Sequence, residues 1–364
     1  MKTLSLALLL TASMVFVMVG CEQELPSSPA KTDQQLQGQQ LQEKPIQEFA
    51  VTDLGTLPGG GESRAFAINK AGQVVGYGTT ASGVNHAILW EAGTITDLGT
   101  LPGMTFSEAY NINDAGQVVG MCSSGGPYST RHAFLWEAGT ITDLGTLGGT
   151  SSVAYDINKA GQVVGYSRTA TGASHAFLWD SGTMTDLGTL GGPSSSARGI
   201  NDAGQVVGTS ETADNRAHAC LWDAGTVTDL GVLTDPQYTV AWSINHAGQV
   251  VGGTANNYTH AFLWEGGTMA DLGTLGGTVS TAYDINKAGQ IVGYSDLVPT
   301  IPVVAVHACL WDAGTIVDLG TLPGGTTSYA MGINKAGQVV GYSATVSGAW
   351  HATLWSIGRS EDEN

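Results

Sequence analysis

Seven histidines recur in one local setting, His-Ala followed two residues later by Leu-Trp: His86, His132, His175, His218, His260, His307 and His351. Seven aspartates recur in Asp-Leu-Gly, at Asp53, Asp97, Asp143, Asp186, Asp229, Asp271 and Asp318. Imidazole and carboxylate are the groups of metal centres and of acid–base catalysis. A metal centre, however, needs donors converging within about 2.0–2.1 Å of one ion. Copies on different repeats stand far apart unless they line a common axis, and each His opens a strand lying well outside it. The expected role of these residues is structural, a hydrogen bond to a neighbouring strand or to the recurring Asp. Cys122, Cys220 and Cys309 fall in non-adjacent repeats, too far apart for the roughly 7 Å Cα separation of a disulfide, so three free thiols are expected. There is no Gly-x-Ser-x-Gly elbow, His-Glu-x-x-His, phosphate loop or EF-hand spacing. No catalytic residue, metal or cofactor is therefore assigned.

The elements that carry these residues form a repeat. A third marker, an Ile-Asn turn followed by Ala-Gly-Gln, places asparagines at Asn69, Asn113, Asn158, Asn201, Asn245, Asn286 and Asn334. Each unit holds four short runs rich in β-branched and aromatic residues, separated by Gly, Asn, Asp and Ser. In the third unit these are 153–157, 162–166, 175–179 and 183–187. Four antiparallel strands repeated seven times predict an all-β fold, a seven-bladed β-propeller. The last unit lacks its fourth strand, and residues 49–54 supply a surplus one at the start. The N-terminal strand is thus expected to complete the last blade; an open β-solenoid would gain nothing from this offset.

Segment lengths divide the ring into a uniform and a variable side. Turn Asn to the next strand's Gly is seven residues in every repeat, whereas that Gly to the following His runs 10, 12, 10, 10, 8, 14 and 10. Function belongs on the variable loops. Lys70, Lys159, Lys287 and Lys335 all fall in the uniform turns, with Glu91, Glu137, Asp180, Asp223, Glu265 and Asp312 expected beside them as a ring of mixed charge. The arginines Arg64, Arg131, Arg168, Arg198 and Arg216 fall instead in variable loops or innermost strands, where a planar guanidinium suits carboxylate or sugar recognition. Candidate ligand-binding residues are Arg64, Glu108, Arg198, Trp242 and Tyr329 around an axial mouth, with Tyr128, Arg131, Arg168 and Trp350 on the loops.

Residues 1–20 read as a lipoprotein signal peptide: Lys2, an uncharged stretch from Leu4 to Val19, then Met18-Val19-Gly20-Cys21, which resembles the lipobox of bacterial lipoproteins. Cys21 would be lipidated and anchor the chain to a membrane, and Glu22 behind it points to the outer membrane, facing periplasm or exterior. Residues 21–47 form a Gln-rich tether with a reach of about 30 Å. The propeller spans 48–356 and an acidic tail 357–364. With 13 Lys and Arg against 31 Asp and Glu, a net charge of −18 excludes nucleic acid as a partner. A monomer is expected.

His-Ala-Phe-Leu-Trp at 132–136, 175–179 and 260–264 resembles the HAF family of extracellular repeat proteins, over residues 49–355. Ile88, Cys220, Cys309 and Thr353 replace Phe in the other four copies. The resemblance implies fold and export, and carries no catalytic residues. Three functions remain. One is a non-enzymatic binding module for a glycan, peptide or envelope protein through the variable face. Another is a lyase or glycoside hydrolase using Glu108, Asp156 or Asp284 at the axis, with paired carboxylates about 5–10 Å apart. The last is a structural role in envelope assembly.

Overall fold

Each repeat's four apolar runs form one antiparallel sheet. In the computed structural model, which describes residues 49–125, 130–233, 238–254, 259–298 and 305–357, all seven sheets have four strands. The signal peptide, Cys21, the tether, Tyr128 and residues 358–364 of the tail lie outside the described residues. The third blade pairs Gly148–Ile157, Val163–Thr169, Ser174–Asp180 and Thr183–Asp186 in chain order. Its innermost strand begins five residues earlier than the apolar run suggests. An isolated bridge between Leu147 and Thr169 and the pairing of Gly148 with Thr169 carry the ladder back across the Gly-Gly step.

The ring closes as the surplus N-terminal run requires. Strand β1 (Phe49–Asp53) pairs antiparallel with β28 (Trp350–Ile357), from Phe49 opposite Ile357 to Asp53 opposite Thr353. The seventh blade thus takes its outermost strand from the other end of the propeller. Seven hydrophobic clusters, one per blade boundary, hold neighbouring sheets together. One of them joins Ala67, Val75 and Leu89 of the first blade to Ile112, Val118 and Phe134 of the second. Another joins Val292 and Leu310 of the sixth to Val339 and Trp355 of the seventh. In each Val-Val pair of the second strand, successive side chains face opposite neighbours, as the two-residue strand period dictates.

Every innermost strand carries a β-bulge at the same place. The ladder slips between Ala65 and Ala67, Ala109 and Asn111, Ala154 and Asp156, Ala197 and Gly199, Ala241 and Ser243, Ala282 and Asp284, and Ala330 and Gly332. A bulge turns its extra residue away from the strand's alternation. Phe66, Tyr110, Tyr155, Arg198, Trp242, Tyr283 and Met331 are therefore aimed at the axis, and in five blades the successor (Ala67, Asn111, Asp156, Ser243 or Asp284) lines it too. The bulge also explains the Gly of Gln-Val-Val-Gly: a Cβ at Gly76 would collide with the carbonyl of Arg64, and the six counterparts meet the same obstacle.

The recurring Asn supplies a second closure. Its Oδ1 accepts two amides of its own turn, as Asn69 does from Ala71 and Gln73. Its Nδ2 donates to the carbonyl of the next blade's Asn, from Asn69 to Asn113 and onward until Asn334 returns to Asn69, at 3.1–3.3 Å throughout. Seven buried hydrogen bonds thus run head to tail around the axis.

Candidate ligand-binding site

The repeated histidines and aspartates hold blades together. In each blade the imidazole Nδ1 donates to the Asp Oδ2 at 2.5–2.8 Å, and His351 finds Asp53 across the closure. The same Asp accepts the following Gly amide on Oδ1, as Asp186 does from Gly188. That Gly's carbonyl receives a buried hydroxyl from the next blade, such as Ser195, which also accepts the Ala176 amide. One hydroxyl per interface (Ser63, Ser107, Ser152, Ser195, Thr239, Ser280, Ser328) repeats this stitch. The three cysteines are free and buried.

Around the axis the bulged residues join the second-strand tyrosines in a continuous belt. Phe66, Tyr110 and Tyr155 stack with centroids 5.4–5.7 Å apart. Trp242, Tyr283, Tyr294, Tyr329 and Tyr342 form a second arc at 5.1–5.9 Å. Two arginines bridge the arcs. Arg198 lies 4.0 Å from the Tyr155 ring and 4.8 Å from that of Trp242. Arg64 lies 4.7 Å from Tyr342, 5.4 Å from Trp350 and 5.8 Å from Tyr77. Such contacts are worth about 0.5–2 kcal/mol each, more where water is excluded. The Nε of both arginines is buried without a hydrogen-bond partner among the described residues.

Inside the belt is an axial cavity of about 330 Å³ lined by Phe66, Tyr110, Tyr155, Arg198, Trp242 and Tyr283 together with Asp156 and Asp284. Both aspartates are braces. Asp156 accepts Asn111 Nδ2 of the preceding blade at 2.5 Å, its neighbour Ile157 at 2.8 Å and Ile200 of the following blade at 2.7 Å. Asp284 repeats this with Ser243, Ile285 and Ile333. The following blade carries Gly199 or Gly332 at the matching position, where the next blade's backbone would crowd a Cβ. Burial pushes the Asp156 carboxyl up to about 7 against the pull of the Ile200 and Ile157 amides, and burial also raises Asp284.

On the variable face, between the third and fourth blades, a groove of about 370 Å³ is lined by Tyr166, Arg168, Ser174, Ser194, Ser196, Arg198, Thr209 and Glu211. Its origin lies in one departure from the repeat. The second-strand position occupied by Tyr77, Tyr166, Tyr294 and Tyr342 in four blades is Thr209 in the fourth, paired across the ladder with Ser196. The small pair leaves uncovered what a tyrosine ring covers in those four; the second and fifth blades carry Met121 and Gly253 there. Ser196 Oγ, Thr209 Oγ1 and Arg198 Nε are all buried with no hydrogen-bond partner. Apart from four Trp indoles and Arg64, these are the buried unpartnered side-chain donors and acceptors among the described residues. Buried polar groups are rarely left this way. All three residues line the groove, which gives it an unsatisfied polar wall.

The expected site residues thus separate. Arg198 and Trp242 line the axial cavity, and Arg198 and Arg168 the groove. Arg64, Tyr329 and Trp350 form an aromatic cluster between the seventh and first blades. Glu108 does not join Arg198 in the axial cavity as expected. It accepts the Tyr110 hydroxyl at 2.6 Å, and burial raises its pKa against the pull of Tyr110, Asn85, Arg64 and Arg131. In the mixed-charge ring the lysines and nearly all the carboxylates are exposed, and each rim carboxylate takes a Gln amide, as Glu91 does from Gln73. Ser196 and Thr209 escape sequence reasoning. Their signal, a missing second-strand Tyr beside a bulged Arg, emerges only once the register is known.

The fold and its unsatisfied groove define a seven-bladed β-propeller with a polar recess on its loop-bearing face. A family model described as protein of unknown function (DUF3466) matches residues 95–262, just under half of the chain. No curated protein matches it. Among solved structures it resembles the β-propeller domain of the Trilobed protease from Pyrococcus furiosus, described as having an open velcro topology. The TM-score is 0.52 at 10% identity, over 83% of this chain and 100% of that one. A Mycobacterium tuberculosis puromycin-hydrolyzing peptidase gives a TM-score of 0.51 at 11% identity, over 83% of this chain and 53% of that one. At such identities the likeness shows the fold alone.

Proposed function

We propose that this protein is a non-enzymatic binding module whose variable face takes an acidic glycan unit in the groove between the third and fourth blades. The observation that carries the reading is the convergence of Arg198 Nε, Ser196 Oγ and Thr209 Oγ1, buried and unpartnered, on that groove. A guanidinium held between two aromatic rings presents its remaining edge to a carboxylate in the fork geometry Arg favours. The two hydroxyls and Glu211 suit sugar hydroxyls, and Tyr166 offers a face for the ring. An enzymatic reading through Glu108, Asp156 and Asp284 has less support, because the two aspartates are occupied in joining blades and Glu108 belongs to a different cluster. Export, lipid attachment at Cys21 and kinship with HAF-repeat proteins complete the proposal, placing the propeller at the cell envelope on a tether.

The test is an array of acidic and neutral envelope glycans and peptides probed with the full chain. Uronate-type glycans should bind, Arg198→Ala should reduce binding at least about tenfold for a lost charged hydrogen bond, and Trp350→Ala should leave it intact. Binding confined to peptides, or indifferent to Arg198→Ala, would overturn the reading.

A further inference from the structure

The uniform face holds a second cavity of about 320 Å³ at the opposite axial mouth, rimmed by the residues that follow the turn asparagines. In ring order these are Lys70, Asp114, Lys159, Asp202, His246, Lys287 and Lys335. All seven turns share the same internal hydrogen bonds, so the amide of each rim residue points alike. Two sectors show what that amide takes. The Lys70 amide donates to the Asp114 carboxylate of the next blade at 3.1 Å. The Lys159 amide and ammonium both donate to Asp202, at 3.3 and 2.6 Å. The turn is therefore an oxyanion cradle, and two sectors fill it with the chain's own carboxylate.

Around the sixth, seventh and first blades the filling carboxylate is replaced. Where Asp114 or Asp202 would stand, the neighbours of Lys287 and Lys335 are Lys335 and Lys70. The amides of Lys287 and Lys335 have no hydrogen-bond partner, and neither ammonium has an ion pair, among the described residues. In the seventh blade the outer carboxylate is missing too: the position of Glu91 is Ser356, so Gln338 has none beside it, whereas Gln73 and Gln290 of the first and sixth meet Glu91 and Asp312. On the other six blades those rim carboxylates would repel a long polyanion, whereas a small ion entering the mouth on this side meets Lys287, Lys335 and Lys70, with Asp114 and Asp202 already engaged by the Lys70 amide and by Lys159.

We propose that the Lys287–Lys335–Lys70 crescent binds a small, multiply charged oxyanion of phosphate size, cradled by the Lys287 and Lys335 amides and ammonium groups. Calorimetric titration of the full chain with inorganic phosphate at constant ionic strength tests this. Saturable one-site binding is expected, unaffected by Arg198→Ala on the other face. Lys335→Asp would supply an internal carboxylate to the Lys287 amide, as Asp202 does for Lys159. It should weaken phosphate at least about tenfold while the melting temperature holds or rises. Lys335→Gln, which keeps the fold without adding a charge, should weaken it less. No saturation, or equal affinity in wild type and both variants, would overturn the proposal.

Discussion

At the scale of single residues, polar groups held away from water join the blades. Asp156 joins three blades, and its carboxyl is pushed up to about 7 by burial. Between the ordinary carboxylate range and pH 7 the folded state therefore holds more protons than the unfolded chain, and stability falls as pH rises through that window. Asp156→Asn removes this titration. The melting temperature of wild type relative to the variant should fall between pH 4 and 7, and a pH-independent difference would contradict the burial argument. Asp318 works in the opposite sense: hydrogen bonds from His307 and Gly320 outweigh its burial and hold it below the usual carboxylate range. The comparison must accordingly be made as a difference between two proteins. The histidine–aspartate pairing was legible in the sequence because both markers recur at a spacing of eleven. The cross-blade partners of Asp156 were not, because the bulge that aims it is invisible in residue types.

Among the elements, the tight turn between third and fourth strands offers a clean test of local design. Ala92 and Gly93 both have positive φ, at 47° and 78°, the two-residue hairpin geometry whose twist matches paired strands. A Cβ disfavours this region by roughly 1–2 kcal/mol. The fifth blade carries Gly266 at the same place. Ala92→Gly should therefore raise stability in denaturant melts by up to about 1 kcal/mol, after the unfolded state's gain in freedom is subtracted; a loss would mean that contacts of the Ala92 methyl hold the turn. Strand number, order and turn positions could all be foreseen from the Gly, Asn and β-branched pattern. The extension of the innermost strands in the third, fourth and sixth blades could not, since Gly-Gly reads as a break and pairs only because the preceding Leu bridges the second strand.

For the whole molecule, closure rests on two circuits, β1 against β28 at the rim and the asparagine ring at the axis. Deleting residues 49–53 strips Phe49 and Val51 from the cluster around Trp355 and unpairs His351. A loss of about 3–5 kcal/mol and an earlier, less cooperative melt are expected; an unchanged transition would show that the inner circuit alone closes the ring. The propeller was readable from its sevenfold markers and displaced end. The polar groove was not, because it is defined by the blade where a small Thr209 stands at the tyrosine position beside a bulged Arg198, and that combination has meaning only in three dimensions.

Thr209→Tyr puts back the residue that four sister blades carry, closing the groove while following the fold's own pattern. Acidic-glycan binding by this variant tests whether the groove is the binding site. Lost binding with an unaltered melting temperature is the predicted result, and full retention would contradict it.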